Sequence, residues 1–327
     1  MQKEAILITG ASGEIGQALL QELSKDTPLP FVTVDLKPLP SELEGKSTHL
    51  RANLLDKDLY LQLENDFQFD LIFHMAALLS TAAELRPQQA HQVNADGTFD
   101  LLQLAAGQSQ QRGAPVRFLF PSSIAVYGLP DQQTKNKHPR IKEHEWNHPI
   151  TMYGCTKLYC ENLGRYFSEH FNQLADEPPT RLDFRAIRFP GLISPFTTPC
   201  GGTSDYGPEM VHAAAKGEPY ECFVRAEVRM PFMAMIDAVS SLLKLADAPE
   251  DHLRTRIYNV TSFSLSAEEF KEMTLACFPD AEIFFSPDPK RQRIVDSWPA
   301  DVDDSAARED WGWAPRYDKR DTCLEYL

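Results

Sequence analysis

The stretch that decides the fold of this chain is Gly10-Ala11-Ser12-Gly13-Glu14-Ile15-Gly16, in which three glycines are spaced as GxxGxxG. The five residues before it read AILIT, a short apolar run typical of a buried parallel strand. After it, apolar residues at 15, 18, 19 and 23 recur at helical spacing. The glycines therefore occupy a strand-to-helix turn, where bare backbone can approach a pyrophosphate seated on the helix N-terminus. This context predicts a dinucleotide site, and the alternative is a glycine-rich turn that binds no nucleotide.

A second apolar run indicates which dinucleotide is bound. Residues 31–34 form a strand pattern that ends at Asp35, 19 residues after Gly16. A carboxylate at this position can accept hydrogen bonds from both ribose hydroxyls of NAD and would repel the additional phosphate of NADP. The neighbouring Lys37 could soften that preference. We therefore expect NAD as the cofactor.

Composition narrows the class of protein. The chain has 327 residues, enough for one large or two modest domains, and Lys+Arg total 32 against Asp+Glu 47, a net charge of −15. This balance argues against nucleic acid and anionic membranes as partners. No apolar stretch reaches transmembrane length, and residues 1–4 leave no room for a signal or transit peptide before the first strand. Six cysteines without CxxC spacing suit a reducing compartment, so we expect a cytoplasmic protein.

Strand and helix patterns alternate over the first 190 residues. Further strands are predicted at 69–74, 116–121 and 182–188, and helices at 84–111 and 151–175. Such alternation predicts an α/β fold with a doubly wound parallel sheet of the Rossmann type. The character of the chain changes after residues 189–191, and the prolines and glycines around residues 195–208 suggest a lid. We predict an NAD-binding Rossmann domain over residues 1–190 and a smaller C-terminal substrate-binding lobe over residues 191–327.

A tyrosine and a lysine one helical turn apart supply candidate acid–base chemistry. Tyr153 and Lys157 lie near the start of the predicted helix 151–175. Oxidising an alcohol requires a base for its hydroxyl proton while hydride leaves the carbon, and a free tyrosine titrates too high for this, near pH ~10. The positive charge of Lys157 would favour the phenolate and lower that pKa. Tyr153 is therefore the predicted base and Lys157 its electrostatic partner; the alternative is a surface pair on an amphipathic helix.

A serine at the end of a predicted strand is a further candidate for this site. Ser123 follows the predicted strand 116–121 at the carboxyl end of the sheet, where doubly wound folds bind ligands, so its hydroxyl is predicted to orient the substrate oxygen. Ser122 could simply form a turn.

The nine histidines are scattered, and although His144 and His148 share helical spacing, no set of thiols or carboxylates completes a zinc site. We predict no metal.

These motifs together resemble the extended short-chain dehydrogenase/reductase family. The resemblance rests on the glycine turn, on residues 120–128 (FPSSIAVYG), on the Tyr153/Lys157 pair and on residues 93–98 (VNADGT). It implies a Rossmann fold, bound NAD and the catalytic set Ser123, Tyr153 and Lys157. It also implies cofactor contacts from Gly10, Ser12, Gly13, Glu14, Ile15, Gly16, Asp35, Asn53, Leu54, Ala76, Ala77, Asn94, Tyr153, Lys157 and Pro190.

Segments of the second half resemble one group within that family, the short-chain-type L-threonine 3-dehydrogenases. They are residues 188–194, 201–206, 230–238, 293–299 and 307–313. The resemblance implies oxidation of L-threonine by NAD, with substrate contacts from Ser80, Ser123, Tyr153, Gly191 and Thr203. Glycine-rich backbone at 201–203 could receive the substrate carboxylate, although ordinary turn and capping chemistry also explains Thr203 and Ser80. The departures are Asn53, Ser204 and Ala234.

Two other functions stay open on the sequence. A nucleotide-sugar epimerase or dehydratase would need basic residues to grip a diphosphate; Arg225, Arg229 and Arg256 are candidates, but residues 195–206 carry no positive charge. A non-catalytic NAD sensor is the other, and the intact Ser/Tyr/Lys set counts against it. The family resemblance also implies a homodimer that packs through the helices predicted at 84–111 and 151–175.

Overall fold

The structure is a computed structural model that describes residues 2–176, 179–199 and 202–326. Its strands are β1 Lys3–Thr9, β2 Phe31–Asp35, β3 Thr48–Arg51, β4 Phe67–His74, β5 Arg117–Ser123, β6 Asp183–Phe189, β7 Gly191–Ile193, β8 Tyr220–Cys222, β9 Arg229–Ala234, β10 Ile257–Asn259, β11 Phe263–Ser266 and β12 Ile283–Phe285. Its α-helices are α1 Glu14–Asp26, α2 Lys57–Asp66, α3 Ser80–Leu85, α4 Pro87–His91, α5 Gly97–Arg112, α6 Gln132–Lys137, α7 Met152–Arg165, α8 Tyr206–Lys216, α9 Met235–Asp247, α10 Ala267–Cys277, α11 Pro289–Ser297, α12 Ser305–Trp311 and α13 Lys319–Leu324.

A seven-stranded sheet in the order β10-β6-β5-β4-β1-β2-β3 forms the centre of the molecule, and all of its strand pairs are parallel. The chain first moves outward from β1 to β2 and β3, then crosses to β4 and continues through β5 to β6. The strand order therefore reverses between β1 and β4, and a crevice opens at the carboxyl ends of these two strands. The predicted doubly wound α/β fold is confirmed, and its crevice lies beside the glycine turn.

Core packing explains which strands the sequence revealed. Strand β6 is buried along its whole length although it contains Asp183, Arg185 and Arg188, whereas the last five residues of β1 are buried and read as an apolar run. The five predicted strands are all present, and each end agrees with the prediction to within two residues. Strand β3 was not predicted because it forms the edge of the sheet and none of its four residues, THLR, is fully buried.

The helix predicted at 84–111 is interrupted. Arg86 precedes Pro87 and adopts φ −137°, ψ 62°, because a proline disfavours helical backbone in the residue before it. The chain restarts as α4, passes through one π-helical turn at Gln92–Asp96 and only then forms α5. The helix predicted at 151–175 ends its regular part at Arg165 and continues as a π-helical turn.

The C-terminal half builds two small sheets, β11-β9-β7 and β12-β8, around a second core. It also contributes to the large sheet, because β10 pairs in parallel with β6. The predicted boundary at residue 190 stays a prediction. None of the helices in the described part of the chain is both long and apolar enough to cross a membrane.

Candidate active site

A cavity of about 560 Å³ lies at the carboxyl ends of the central strands, between the glycine turn, the start of α7 and the residues that follow β6. Most of the predicted site residues line it: Gly10, Ser12, Gly13, Glu14, Ile15, Gly16, Ala77, Ser80, Ser123, Tyr153, Lys157, Pro190 and Gly191. A larger groove of about 730 Å³ between α1 and α9 contains none of them. The structure thus brings together residues from both halves of the chain in one place.

The glycine turn forms a cradle that side chains would fill. Gly10 has φ +67°, and a Cβ there would lie 2.5 Å from the backbone nitrogen of Ala76. A Cβ on Gly16 would overlap the carbonyl oxygen of Gly10. Gly13 is the N-cap of α1 and provides no side-chain cap for its first turn. The bare helix N-terminus at the edge of the cavity fits the pyrophosphate of a dinucleotide.

Asp35 lies at the end of β2, beside this turn rather than on the cavity wall. Its carboxylate accepts hydrogen bonds from the backbone N–H of Ser12, at 3.0 Å, and of Lys37, at 2.9 Å. These bonds fix both the carboxylate and the glycine turn, while Lys37 itself lines the cavity. The ribose contact of Asp35 stays a prediction.

Four other predicted cofactor residues also lie behind the wall. Asn53 accepts a hydrogen bond from the backbone N–H of Leu55, and Leu54 is buried in the core. Ala76 abuts Gly10. The Asn94 amide is bonded to the backbone of Leu78 and to Thr156, so this side chain braces the loop after β4 against α7. Direct contact of these four residues with the cofactor stays a prediction.

The predicted catalytic residues meet where α7 packs against the end of β5. Ser123 is the polar neighbour of the Tyr153 phenol that acts to lower its pKa. The ammonium group of Lys157 donates to the Pro121 carbonyl at 2.6 Å and lies 5.6 Å from the centroid of the Tyr153 ring. Gly154 permits this close approach, because a Cβ there would overlap the carbonyl oxygen of Ala125.

The electrostatics of this pair depart from the prediction. Burial raises the pKa of Tyr153, and the Ser123 hydroxyl only partly opposes the rise. Burial lowers the pKa of Lys157 to about 8, while Cys160 and Glu161 act in the opposite direction. The predicted lowering of the tyrosine pKa is therefore wrong for this structure, because desolvation of the phenol dominates and the ammonium group is bound to the Pro121 carbonyl.

The opposite wall comes from residues 194–205, here called the substrate loop, of which residues 200 and 201 lie outside the described residues. Its Thr203 is buried and donates its backbone N–H to the hydroxyl of Ser80, at 3.1 Å, with its own hydroxyl 3.4 Å from the same oxygen. Ser80 lies at the start of α3, 123 residues away in sequence. Ser80 and Thr203, both predicted to contact the substrate, are thus neighbours. The predicted role of the backbone at 201–203 can be followed only from residue 202 onward.

Arg291 also holds this loop and was not identified from the sequence. Its guanidinium donates to the carbonyl of Gly202 at 2.7 Å and lies 3.2 Å from the centroid of the Phe223 ring. The sequence offered little signal. Arg291 is 89 residues from Gly202, and only the later part of α11 belongs to a segment with a family resemblance. Phe196, Thr197 and Asp205 likewise line the cavity without having been predicted individually.

The arginines considered for a diphosphate are ion-paired elsewhere. Arg225 pairs with Asp296 and Glu227, Arg229 with Glu269, and Arg256 with Asp183 and Glu250. None of the three lines the cavity. Across residues 2–176, 179–199 and 202–326, no group of three or more His, Cys, Asp or Glu side chains could hold a metal ion.

Comparison with known proteins agrees with this geometry. Residues 6–261 match the model of the NAD dependent epimerase/dehydratase family. The mitochondrial L-threonine 3-dehydrogenase of Bos taurus is 31% identical over 317 residues, 97% of this chain and 80% of that protein. Among solved structures, a monomeric L-threonine 3-dehydrogenase from a metagenome is 35% identical with a TM-score of 0.84, covering 98% of this chain and 97% of that one. L-threonine dehydrogenase from Clostridium difficile is 31% identical with a TM-score of 0.85, covering 100% and 97%.

Proposed function

Because the chain belongs to the NAD dependent epimerase/dehydratase family and is an NAD-dependent oxidoreductase, we propose that it oxidises L-threonine at Cβ to 2-amino-3-oxobutanoate, with formation of NADH. The observation that carries this proposal is one small cavity whose wall combines the glycine cradle, the neighbouring Tyr153 and Ser123 side chains and Ser80, the partner of Thr203. Relatives that cover nearly the whole chain include the L-threonine dehydrogenases of Bos taurus and Clostridium difficile, which supports the choice of substrate.

The chemistry assigned to the chain's own residues is proton removal. The Ser123 hydroxyl holds the substrate hydroxyl, and the Tyr153 phenolate takes its proton while NAD, when bound, accepts the hydride from Cβ. Because burial raises the pKa of Tyr153, the phenol must lose its proton before it can act. The positive charge of Lys157 lowers the cost of that loss. The rate of oxidation should therefore rise with pH until Lys157 loses its charge.

The proposed substrate, L-threonine, is a zwitterion. The side of the cavity formed by the substrate loop and Ser80, here called the substrate wall, offers hydrogen-bonding groups suited to it. The hydroxyl of Ser80, which lines the cavity and accepts from Thr203, and the backbone near Gly191 and Gly202 are hydrogen-bond partners for a small polar amino acid. No arginine proposed for a diphosphate reaches this wall. A nucleotide-sugar epimerase or dehydratase is thus the less well supported alternative, and a non-catalytic NAD sensor would not need the Tyr153–Ser123 contact. In this proposal residues 1–190 bind NAD and residues 191–327 supply most of the substrate lobe.

We further propose a cytoplasmic homodimer that packs through α5, α7 and the turn after α7. Phe99 is 37% exposed, Tyr159 50% and Tyr166 40%, so large aromatic surfaces lie on these helices. Light scattering at micromolar concentration should give twice the chain mass, and Tyr159→Glu should give a monomer. A wild-type monomer, the state of the metagenomic relative, would remove this part of the proposal without affecting the reaction.

The test of the reaction is NADH absorbance with purified protein, NAD and L-threonine, with D-threonine and NADP in parallel. We expect turnover only with L-threonine and NAD. Tyr153→Phe should retain NAD binding and lose about 10²–10⁴-fold in rate, the usual contribution of general-base catalysis. Tyr317→Phe, in the C-terminal segment, is the matched control and should be unchanged. Near-normal turnover in Tyr153→Phe would overturn the assignment of the base, and silence of the wild type with L-threonine would overturn the proposed substrate.

A further inference from the structure

The end of β5 is connected to α7 by three successive contacts. Three consecutive residues of the strand each meet a residue of the helix, and the helix partners are spaced four residues apart on one face. The contacts are Ser123 with Tyr153, the Pro121 carbonyl with the Lys157 ammonium group at 2.6 Å, and the Ser122 hydroxyl with the Glu161 carboxylate at 2.5 Å. Two of these contacts involve the proposed catalytic residues, and the third involves Glu161.

Glu161 is fixed from its other side by a buried ion pair. Arg188 donates from Nε to Oε1 at 2.8 Å and from Nη2 to Oε2 at 2.7 Å, a bidentate arrangement. The side chains are 1% and 2% exposed. Arg188 is the register partner of Ser122 in the neighbouring strand β6, and it also donates to the Glu143 carbonyl. The third contact is therefore anchored to the sheet by two strands.

The charged and titratable groups around Lys157 come from three elements. On β4, burial lowers the pKa of His74 to about 3, so this imidazole is neutral at physiological pH. On α7, burial raises the pKa of the Cys160 thiol to about 11 and also raises that of Tyr153, which keeps both groups uncharged. Glu161, on the same helix, is the remaining neighbour, and its partner Arg188 on β6 carries a positive charge.

We propose that Glu161 is a positioning residue for the oxidation: it fixes α7 against the end of β5 and keeps the positive charge on Lys157. This role of Glu161 in catalysis rests on the proposed function. Removing its charge leaves Lys157 and Arg188 as two buried cations without the shared carboxylate. The ammonium group of Lys157 then loses its proton at lower pH, and the phenolate of Tyr153 loses its electrostatic support.

The test is the pH profile of kcat in Glu161→Gln, which keeps the shape of the side chain. The alkaline limb of the profile should move about 1 pH unit lower, within the range expected for loss of a nearby opposite charge. KM for NAD should change little. Glu161→Asp keeps the charge but shortens the side chain, so it should lower kcat and leave the alkaline limb in place. A wild-type profile in Glu161→Gln, or a wild-type kcat in Glu161→Asp, would overturn the proposal.

A matched control exists on the same strand. Asp183 forms a second buried ion pair with Arg185, with side chains 4% and 2% exposed, away from α7. Asp183→Asn should lower Tm without moving the pH profile. The same profile shift in Asp183→Asn would show that the effect is a general loss of packing.

A readout independent of turnover separates this proposal from the proposed function. The Lys157 side chain is titrated by NMR in protein labelled with ¹³C-lysine, with its signal identified by its loss in Lys157→Met. We expect its titration to move to lower pH in Glu161→Gln and to stay in place in Asp183→Asn. If the wild type fails to oxidise L-threonine but the titration shifts, the substrate is wrong and the role of Glu161 stands. An unshifted titration refutes that role whatever the substrate.

Discussion

The two walls of the active-site cavity are built in different ways. The cofactor wall is made by backbone that is close in sequence: Gly10 and Gly16 shape one turn, and Asp35 holds that turn from the next strand. The substrate wall is made by side chains that meet across the molecule, as in the Thr203–Ser80 contact and the bond from Arg291 to Gly202. Both of these contacts join residues that are far apart in the chain.

The two walls should therefore respond differently to amino-acid substitution. A backbone turn fails abruptly when a side chain is added to it, because neighbouring main-chain atoms cannot move aside. A wall held by single hydrogen bonds should weaken in steps, each about 0.5–1.5 kcal/mol. The four predictions below test this contrast, in order of decreasing effect.

The largest effect is expected from Gly16→Ala. Its Cβ would overlap the Gly10 carbonyl, and overpacking of this kind costs about 1–3 kcal/mol. We expect a lower Tm and NAD affinity weakened by at least about tenfold, measured by thermal unfolding and calorimetry. Gly107→Ala is the matched control, because nothing lies within 4 Å of a Cβ at that helical site. Wild-type NAD affinity in Gly16→Ala would contradict the cradle.

A smaller effect is expected from Ser80→Ala on the substrate wall. The change removes the acceptor of the Thr203 backbone N–H, so kcat/KM for L-threonine should fall about tenfold, as for loss of one buried hydrogen bond. The affinity for NAD should stay within about twofold. Ser24→Ala, whose hydroxyl donates within α1, should leave both unchanged. Equal losses for NAD and L-threonine would show that the two walls are not separable.

Arg291→Met should have a milder effect. It removes the hydrogen bond to the Gly202 carbonyl but keeps apolar contact with Phe223, so KM for L-threonine should rise about three- to tenfold with little change in kcat. Arg293→Met, exposed on the same helix, is the control. Should both variants behave alike, the loop would not depend on Arg291.

The smallest effect concerns Glu14, which lies between the two walls. Burial, and then the charge of Asp205, raise the pKa of Glu14 from 4.5 to about 7, against a lowering by the Thr197 hydroxyl. A raised pKa contributes stability that is complete below about pH 4.5 and is lost as pH rises through about 7. Glu14→Gln should therefore reduce the fall in Tm between pH 5 and pH 8, by less than about 2 °C. An unchanged fall would mean that Glu14 titrates normally.

The sequence was sufficient for the cofactor wall because its determinants are local. Glycine spacing, the apolar run before it and the acid after the second strand all refer to contacts within about one βαβ unit. The positions of Tyr153 and Lys157 followed from helical spacing. The direction of the Tyr153 pKa did not, because it depends on how deeply the packed helix buries the phenol.

The remaining features depend on contacts that no local pattern encodes. Arg291 could not be placed against Gly202 because the contact joins residues 89 positions apart within the second half of the chain. Glu161 lies eight residues after Tyr153, yet its role needs Arg188 on a neighbouring strand. Strand β3 was missed because three of its four residues are polar and none is fully buried.

The pairing of β10 with β6 has a consequence for the order in which the protein is made. Strand β6 leaves the ribosome first, but the strand that covers its outer edge, residues 257–259, is synthesised about seventy residues later. During that interval the nascent sheet has an unpaired strand edge, a feature that promotes aggregation. Nascent chains stopped near residue 230 should therefore be more sensitive to protease, and more dependent on chaperones, than chains stopped after the whole protein has emerged.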